Sequence, residues 1–314
     1  MATRNEVDRG DGAAPATAAQ SGRGRALAIG AVVGAALLWS SSYAVTKEIL
    51  AEVGPLTIGA VRFTLAALLL AVLTGVLARR RSVERPNPRQ RRMMWVSGLL
   101  GITAYFILEN VGVELSTASD ASLIVASYPL MTMLLEVVLF RVRVPLLRVG
   151  AVAMAMAGVY LVVRNGADVG GDQRWAGDML LLLGGVVWAV YNIVAKRSGS
   201  GQDPLSSTYH QMTAGAAGFV LASLLEVSEW SVPSLASSAM LVYLAVGCSI
   251  GGFLLYNYGL KALKPSVAVN ILNLVPAFGV LGAVVINGET VQLAQLAGGA
   301  VIVAGVTLGL VDRR

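Results

Sequence analysis

Ten long apolar segments run through the chain, separated by short polar stretches. Each holds about 20 residues, which as an α-helix span the roughly 30 Å hydrocarbon core of a bilayer. A helix suits lipid because all its backbone hydrogen bonds are made within the segment. The pattern therefore predicts an all-α membrane protein with ten transmembrane helices, over Ala26–Val45, Pro55–Ala78, Met93–Val113, Ala118–Phe140, Val144–Val163, Ala176–Ala195, Pro204–Leu225, Ala239–Gly259, Val267–Ile286 and Val291–Val311.

Composition excludes several classes of function. The chain is 56% hydrophobic and 13% charged, against about 45–50% and about 25% in soluble domains, which argues against a soluble enzyme. One cysteine, Cys248, and one histidine, His210, leave no basis for a disulfide or a multi-residue metal site. No Walker loop is present to bind ATP. We therefore expect no catalysis, no metal and no cofactor.

The charges predict how the helices are oriented. Twenty of the 24 Lys and Arg residues fall in the tails and loops of one side, and three, Lys47, Arg164 and Arg174, fall on the other. Basic flanks stay cytoplasmic during insertion. Both termini are thus predicted to be cytoplasmic in the inner membrane, with residues 1–25 forming a disordered tail and no cleavable signal peptide. The Arg79–Arg92 run also invites a nucleic-acid interpretation, but a loop this short favours a topology signal.

The two halves of the chain resemble each other. Shifting Asn110–Val163 by 147 positions onto Asn257–Leu310 gives 16 identities in 54 positions, and a shift of 149 pairs Trp39 with Trp188. The predicted domains are two five-helix repeats, residues 26–163 and 176–311. Five spans carry the second copy into the membrane inverted, an architecture of many secondary transporters. A duplicated but purely structural bundle is the alternative, which the polar interior residues disfavour.

Several motifs match one family. They are the stretch Leu38–Tyr43, Pro55 with Arg62, the Tyr128-Pro129 pair, and the Ala157-Gly158-Val159 and Ala304-Gly305-Val306 repeat ends. With these the chain resembles the drug/metabolite transporter superfamily, in its ten-helix EamA type. The resemblance implies a transporter of small metabolites such as amino acids, with its site in a central cavity between the halves. One departure is that Gly288-Glu289 of the second half has Arg141-Val142 as its counterpart in the first.

Arg62 and Glu109 are ionisable groups inside apolar spans and must find a partner or water. Their predicted depths from the outer surface are similar, so we expect them to pair or nearly pair. Arg62 would receive a substrate carboxylate, and Glu109 would release it or receive a proton or an ammonium group. A fixed structural ion pair is the alternative.

Pro129 and Pro276 lie at corresponding places in the fourth and ninth helices, where proline removes a backbone hydrogen bond. Interrupted helices at matching positions of two repeats point to a transport site. Asn270 and Asn273 lie on one face beside Pro276 and would bind a polar substrate or join helices. His210 could relay protons, although an interfacial hydrogen-bonding role is the plainer interpretation.

Aromatic side chains complete the candidate site. Their helical spacing defines faces that would line a cavity for an amphipathic substrate, with cation–π attraction for an ammonium group. Interfacial anchoring is the alternative, which the depth of the two tryptophans disfavours. The residues are Trp39, Tyr43, Trp188, Tyr191, Asn192 and Tyr256.

These patterns predict a secondary or facilitative transporter that moves a small amphipathic metabolite by alternating access, in the export direction. Its partners would be the substrate, protons and the bilayer, with no nucleic acid, and its state a monomer or a homodimer joined through Gly305 and Gly309. Alternatives are a membrane scaffold, an intramembrane lipid-handling protein, or an importer or antiporter of a phosphorylated or sugar metabolite.

Overall fold

The protein was analysed as a computed structural model, in which residues 22–78, 86–140, 146–198, 204–263 and 271–310 are described. Regular structure in these ranges is helical. We number the α-helices in chain order as α1 (Gly22–Ile49), α2 (Pro55–Ala78), α3 (Pro88–Gly98), α4 (Tyr105–Leu115), α5 (Ala118–Val125), α6 (Tyr128–Phe140), α7 (Leu146–Ser198), α8 (Pro204–Ser223), α9 (Leu235–Tyr243), α10 (Gly252–Ala262), α11 (Leu274–Asn287) and α12 (Leu293–Leu310).

Six helical stretches of the described ranges are long and apolar enough to cross a bilayer. Large apolar side chains also point away from the bundle, such as Leu68, Val72 and Val285, which are 61%, 66% and 72% exposed. Exposed apolar surface of this extent is expected where lipid is the solvent. The six stretches are Gly24–Ile49, Pro55–Val76, Pro88–Leu115, Asp172–Val194, Leu205–Glu229 and Leu235–Tyr256.

Two of these stretches contain π-helical turns. Leu99–Ala104 joins α3 to α4, and Leu244–Gly251 joins α9 to α10. The two turns lie about 147 residues apart, which is the separation at which the halves of the sequence match. A π turn inserts an extra residue into a helix and is frequent at functional sites.

The helix α7 differs from the sequence prediction. The predicted fifth and sixth helices, with a loop over residues 164–175, are one helical run of 53 residues from Leu146 to Ser198. The predicted loop contains glycine but no proline. Every residue in it therefore keeps an N–H for the helical ladder, and glycine alone weakens a helix by only about 1 kcal/mol per residue.

Glycines let the helices α7 and α12 approach closely. A Cβ on Gly158 would lie 2.6 Å from the carbonyl oxygen of Gly298, and one on Gly305 would lie 2.7 Å from the backbone nitrogen of Ala155. Both glycines belong to the repeat-ending motifs. The face of α12 that carries Gly305 therefore packs on α7 within the chain, while the dimer contact considered for Gly305 and Gly309 stays a prediction.

Candidate functional site

Arg62 lies at the centre of the bundle on α2. Its side chain is 1% exposed, and its Nε donates to the Ser249 hydroxyl at 2.8 Å. Its guanidinium carbon lies 4.8 Å from the ring centre of Phe106 and 5.0 Å from that of Phe63. One terminal nitrogen, Nη1, is buried and has no hydrogen-bond partner among the described residues. Arg62 thus holds an unused donor in an aromatic enclosure.

Glu109 lies on α4 and is 5% exposed. It accepts a short hydrogen bond from the hydroxyl of Tyr105, one helical turn earlier. Within the described part of the chain, Arg62 and Glu109 form no ion pair. Each has a neutral hydroxyl partner instead, Ser249 for Arg62 and Tyr105 for Glu109, and the expected nearness of the two groups stays a prediction.

Aromatic rings surround these two groups. Trp188 packs against Tyr105 and Tyr191, with ring centres 4.9 Å apart in both cases. Trp39 packs against Tyr256 at 5.2 Å and Phe253 at 5.5 Å, and its indole nitrogen donates to the carbonyl of Cys248 at 3.0 Å. Tyr43 is buried, whereas Asn192 is half-buried. Of the aromatic residues that the sequence suggested, Tyr43 and Tyr191 are thus buried, whereas Trp39, Trp188 and Tyr256 are half-buried and pack on other rings.

Helix breaks occur at both prolines. The predicted fourth helix is divided into α5 and α6 at Ala126 and Ser127, just before Pro129. A turn at Asn273 likewise precedes α11, three residues before Pro276. Asn273 is half-buried at the start of α11 and makes no side-chain cap. Asn270 lies outside the described residues.

His210 lies apart from this interior cluster. It lines a surface cavity of about 500 Å³ together with Arg91, Arg92 and Trp95, and its Nδ1 is 2.8 Å from the carbonyl of Ser206 on the same helix. Because a carbonyl only accepts, Nδ1 carries the proton. The neighbouring Gln211 donates to the Ser97 hydroxyl at 3.0 Å. A role for His210 in proton coupling stays a prediction.

Sequence reasoning missed several residues of the site. Tyr105, Phe106 and Ser249 contact the two ions, and Tyr128 donates to the carbonyl of Leu181 at 2.7 Å. Serines and aromatic residues are common in apolar helices, so nothing in the sequence alone distinguished them. The place of Tyr128 directly before Pro129 was the one available signal.

Carboxylates bridge distant parts of the chain at the end of the bundle opposite the basic loops. Glu226 accepts from the backbone N–H groups of Leu56 and Thr57, both at 2.8 Å. Glu289 accepts from those of Ala118 at 2.8 Å and Ser119 at 3.0 Å. Each carboxylate thereby caps the N-terminus of a helix, where the helix dipole favours negative charge.

The Gly288-Glu289 pair noted in the sequence has a structural role here. Gly288 ends α11 with φ of 66°, a left-handed conformation that favours glycine. This turn delivers Glu289 to the start of α5. Its first-half counterpart, Arg141-Val142, lies outside the described residues.

Buried ions, paired helix breaks and a lipid-facing apolar surface define a membrane transport protein rather than a soluble one. The sequence model of the EamA-like transporter family matches residues 26–164 and 175–311. The chain belongs to this family, which confirms the resemblance seen in the sequence.

Similar proteins from other organisms are also transporters. A probable terminal-alkyne amino-acid exporter of Streptantibioticus cattleyicolor is 29% identical over 91% of this chain and 94% of its own length. An uncharacterised inner membrane transporter of Escherichia coli K12, YedA, is 25% identical over 89% of both chains. A solved crystal structure is 26% identical with a TM-score of 0.63, over 90% of this chain and 95% of that one. The protein is therefore a multi-pass transporter of the inner membrane with a small-molecule substrate.

Proposed function

We propose that this transporter exports a small amphipathic metabolite, an amino acid or a close analogue, by alternating access between two inverted five-helix repeats. In this proposal both termini are cytoplasmic, and the bundle end that carries Glu226 and Glu289 faces outward. The observation that carries the proposal is the enclosed pair of ionisable groups, Arg62 and Glu109, each of which contacts a neutral hydroxyl rather than the other.

Matching contacts support the repeat. Arg62 and Gln211 occupy corresponding positions 149 residues apart, and each donates to a serine on a helix of the other half, Ser249 and Ser97. Trp39 and Trp188 also correspond, and each packs on aromatic residues across the two halves. The π turns and the proline breaks recur at the same separation. Such recurrences at separations of 147 to 149 residues support the proposed two-fold relation between the halves, as in inverted-repeat transporters.

The chemistry of the enclosure supports an amino-acid-like substrate. The free Nη1 of Arg62 is a charged donor that suits a carboxylate. Glu109 would take the ammonium group, or a proton when the substrate is absent. The rings of Trp39, Trp188 and Tyr191 would pack on an apolar side chain. The name of the Streptantibioticus relative, an amino-acid exporter, agrees with this substrate class.

The structure has a closed centre, because Arg62, Glu109 and the rings in contact with them, those of Phe63, Phe106 and Tyr105, are all buried. Substrate entry therefore requires the halves to separate. The helix breaks before Pro129 and Pro276 supply places where α6 and α11 can tilt without breaking regular hydrogen bonds.

Transport into proteoliposomes tests this proposal. Purified protein should take up labelled amino acids in preference to sugars and phosphate esters, and saturably, with and without a pH gradient. Liposomes without protein are the control. Uptake of sugars or phosphate esters but no amino acid would contradict the substrate class, and a folded protein that moves none of the panel would contradict transport of these solutes.

A further inference from the structure

Two buried carboxylates meet at the outward end of the bundle, apart from the Arg62 cluster. Asp120 lies in the first turn of the helix α5 and Asp178 lies in α7, and both residues are 0% exposed. The C-terminus of α4 and the start of α12 complete the junction, through Ser116 and Gln295. The proposed substrate site does not include this junction.

Asp120 accepts hydrogen bonds from a charged donor, Arg174, and from an amide donor, Gln295. Its Oδ2 accepts from Arg174, at 2.7 Å from Nε and 2.6 Å from Nη2. Its Oδ1 accepts from the Gln295 amide at 2.6 Å. Two charged N–H donors on one carboxylate oxygen stabilise the ionised form of the carboxylate. Asp120 therefore carries the negative charge that balances Arg174.

Asp178 is left with one neutral partner. Its Oδ1 contacts the Ser116 hydroxyl at 2.6 Å, and its Oδ2 is buried with no partner among the described residues. A buried charge without a counter-ion is strongly unfavourable, and such a group neutralises instead. A proton on Oδ1 donates to the Ser116 oxygen, whose own hydrogen then points to Asp120 Oδ2, 3.5 Å away.

The surrounding charges do not supply the missing counter-ion. Lys47 donates to the carbonyls of Val113, Glu114 and Ser116, at 2.6 to 2.9 Å. Glu289 caps α5 nearby, and the Glu114 side chain is exposed. The charged groups named around the junction are thus four carboxyl groups and two cations, Arg174 and Lys47. This excess of acidic groups makes a second ionised carboxylate beside Asp120 still less favourable.

We propose that Asp178 is a proton-binding site, occupied while the outward end is closed and emptied to the outside water when that end opens. The closed junction is tightly packed, since a Cβ on Gly177 would lie 2.8 Å from the carbonyl of Gly112, and the Asp178 carboxyl is shielded from bulk water. Opening moves α7 away from α4 and exposes the carboxyl group, which then releases its proton to water. External acid thus favours the closed state. The inference rests on the proposed alternating access for its opening step alone.

Infrared spectroscopy tests the closed-state proton without any substrate. Glu109 is another buried carboxyl whose partner is a neutral hydroxyl, so the comparison uses the Glu109→Gln background with and without Asp178→Asn, in lipid at neutral pH. We expect the carbonyl band of a buried carboxylic acid to be lost with Asp178→Asn and kept with Glu229→Gln, which removes an exposed carboxyl at the same end. Removal of its only partner by Ser116→Ala should shift the band. Identical spectra with and without Asp178 in folded protein would overturn the proposal.

Cysteine labelling tests the link to opening. In a Cys248→Ser background, Ala118→Cys places a thiol at a buried position of the junction, and Ser231→Cys gives an exposed reference that corrects for thiolate formation. The ratio of their labelling rates with a membrane-impermeant maleimide should rise with external pH, and this rise should vanish with Asp178→Asn. A rise that persists in that variant would refute the link. Neither experiment requires transport, so failure of the proposed substrate leaves both intact.

Discussion

At the residue scale, the centre of the protein holds two ionisable groups that do not neutralise each other. Arg62 is held by Ser249 and two phenyl rings, and Glu109 by Tyr105. A buried guanidinium without a counter-ion is unfavourable unless a ligand completes it. This is the reason that we propose a binding role for Arg62 rather than a fixed structural ion pair.

Replacement of Glu109 by glutamine should weaken the apparent affinity only for substrates that carry an ammonium group. Glutamine keeps the size of the side chain and can still accept from Tyr105, but it carries no charge. We expect weaker apparent affinity for zwitterionic amino acids and little change for a carboxylate that lacks an ammonium group. Concentration dependence of uptake measures both. Equal losses for the two substrates would indicate a structural role, and Glu229→Gln is the matched surface control.

The depth of Arg62 and Glu109 could be predicted from the sequence, because charges stand out in apolar spans. Their partners could not, since Ser249 lies 187 positions from Arg62 and only the packed structure joins them. Asp178 was missed for a related reason. It lies two residues inside a predicted span, a position where a carboxylate is common at the end of a transmembrane helix. Its burial results from the packing of Gly177 on α4, which the sequence does not show.

At the scale of elements, the proline breaks separate helices that would otherwise be continuous. Pro129 lacks the N–H that would continue the ladder, and the chain turns at Ala126 and Ser127. The positions of both breaks followed from the sequence. The continuity of α7 did not, because weak helix formers such as glycine are overridden by neighbouring helical turns.

Pro129→Ala should restore the missing hydrogen bond and straighten the helix. We expect slower transport with unchanged or raised thermal stability, because the variant removes a hinge without removing packing. Pro88→Ala is the matched control, since proline at the first turn of α3 replaces an N–H that has no helical partner. Thermal unfolding and initial uptake rates measure the two effects. Unchanged transport in a stable Pro129→Ala protein would count against the hinge.

Glu52 makes a pH-dependent cap at the start of α9. It accepts from the Ser234 N–H at 2.7 Å and hydroxyl at 2.9 Å, and the backbone hydrogen bond is the main cause that lowers the pKa of Glu52. Since the folded pKa is the lower one, this stabilisation is fully present above the ordinary glutamate pKa, about 4.3, and is lost as the pH falls through the folded value.

The melting temperature of Glu52→Gln should therefore lie below that of the wild type at neutral pH, with the difference shrinking in acid. Glu229→Gln changes an exposed carboxyl that caps no helix among the described residues, so its melting temperature should not approach that of the wild type in this way as the pH falls. Thermal unfolding followed across this pH range measures both variants. A constant difference at all pH values would show that the charge of Glu52 does not contribute.

At the scale of the whole molecule, basic residues and capping carboxylates lie at opposite ends. Arg89, Arg91 and Arg92 are exposed at the start of α3, whereas Glu52, Glu226 and Glu289 tie helices together at the other end. The membrane location and the family could be predicted from the sequence. The closed end of the bundle that carries the capping carboxylates could not, because these caps join residues about 170 positions apart.

Topology mapping in whole cells should agree with this polarity. In a Cys248→Ser background, a cysteine at Ser231 should react with an impermeant maleimide added outside, and one at Arg89 should react only after the cells are permeabilised. Both positions are exposed in the structure, so accessibility alone does not distinguish them. The reverse labelling pattern would show that the protein is inserted with its termini outside.

The most direct test of the account is the transport of an amino acid by Arg62→Gln protein in proteoliposomes, beside the surface control Arg89→Gln. A charged hydrogen bond contributes about 1.5–3 kcal/mol, which corresponds to roughly a 10-fold to 100-fold loss of apparent affinity. We predict a loss of this size for Arg62→Gln and none for Arg89→Gln, with the decarboxylated amine unaffected by either change. Wild-type affinity for the amino acid in folded Arg62→Gln protein would contradict the account.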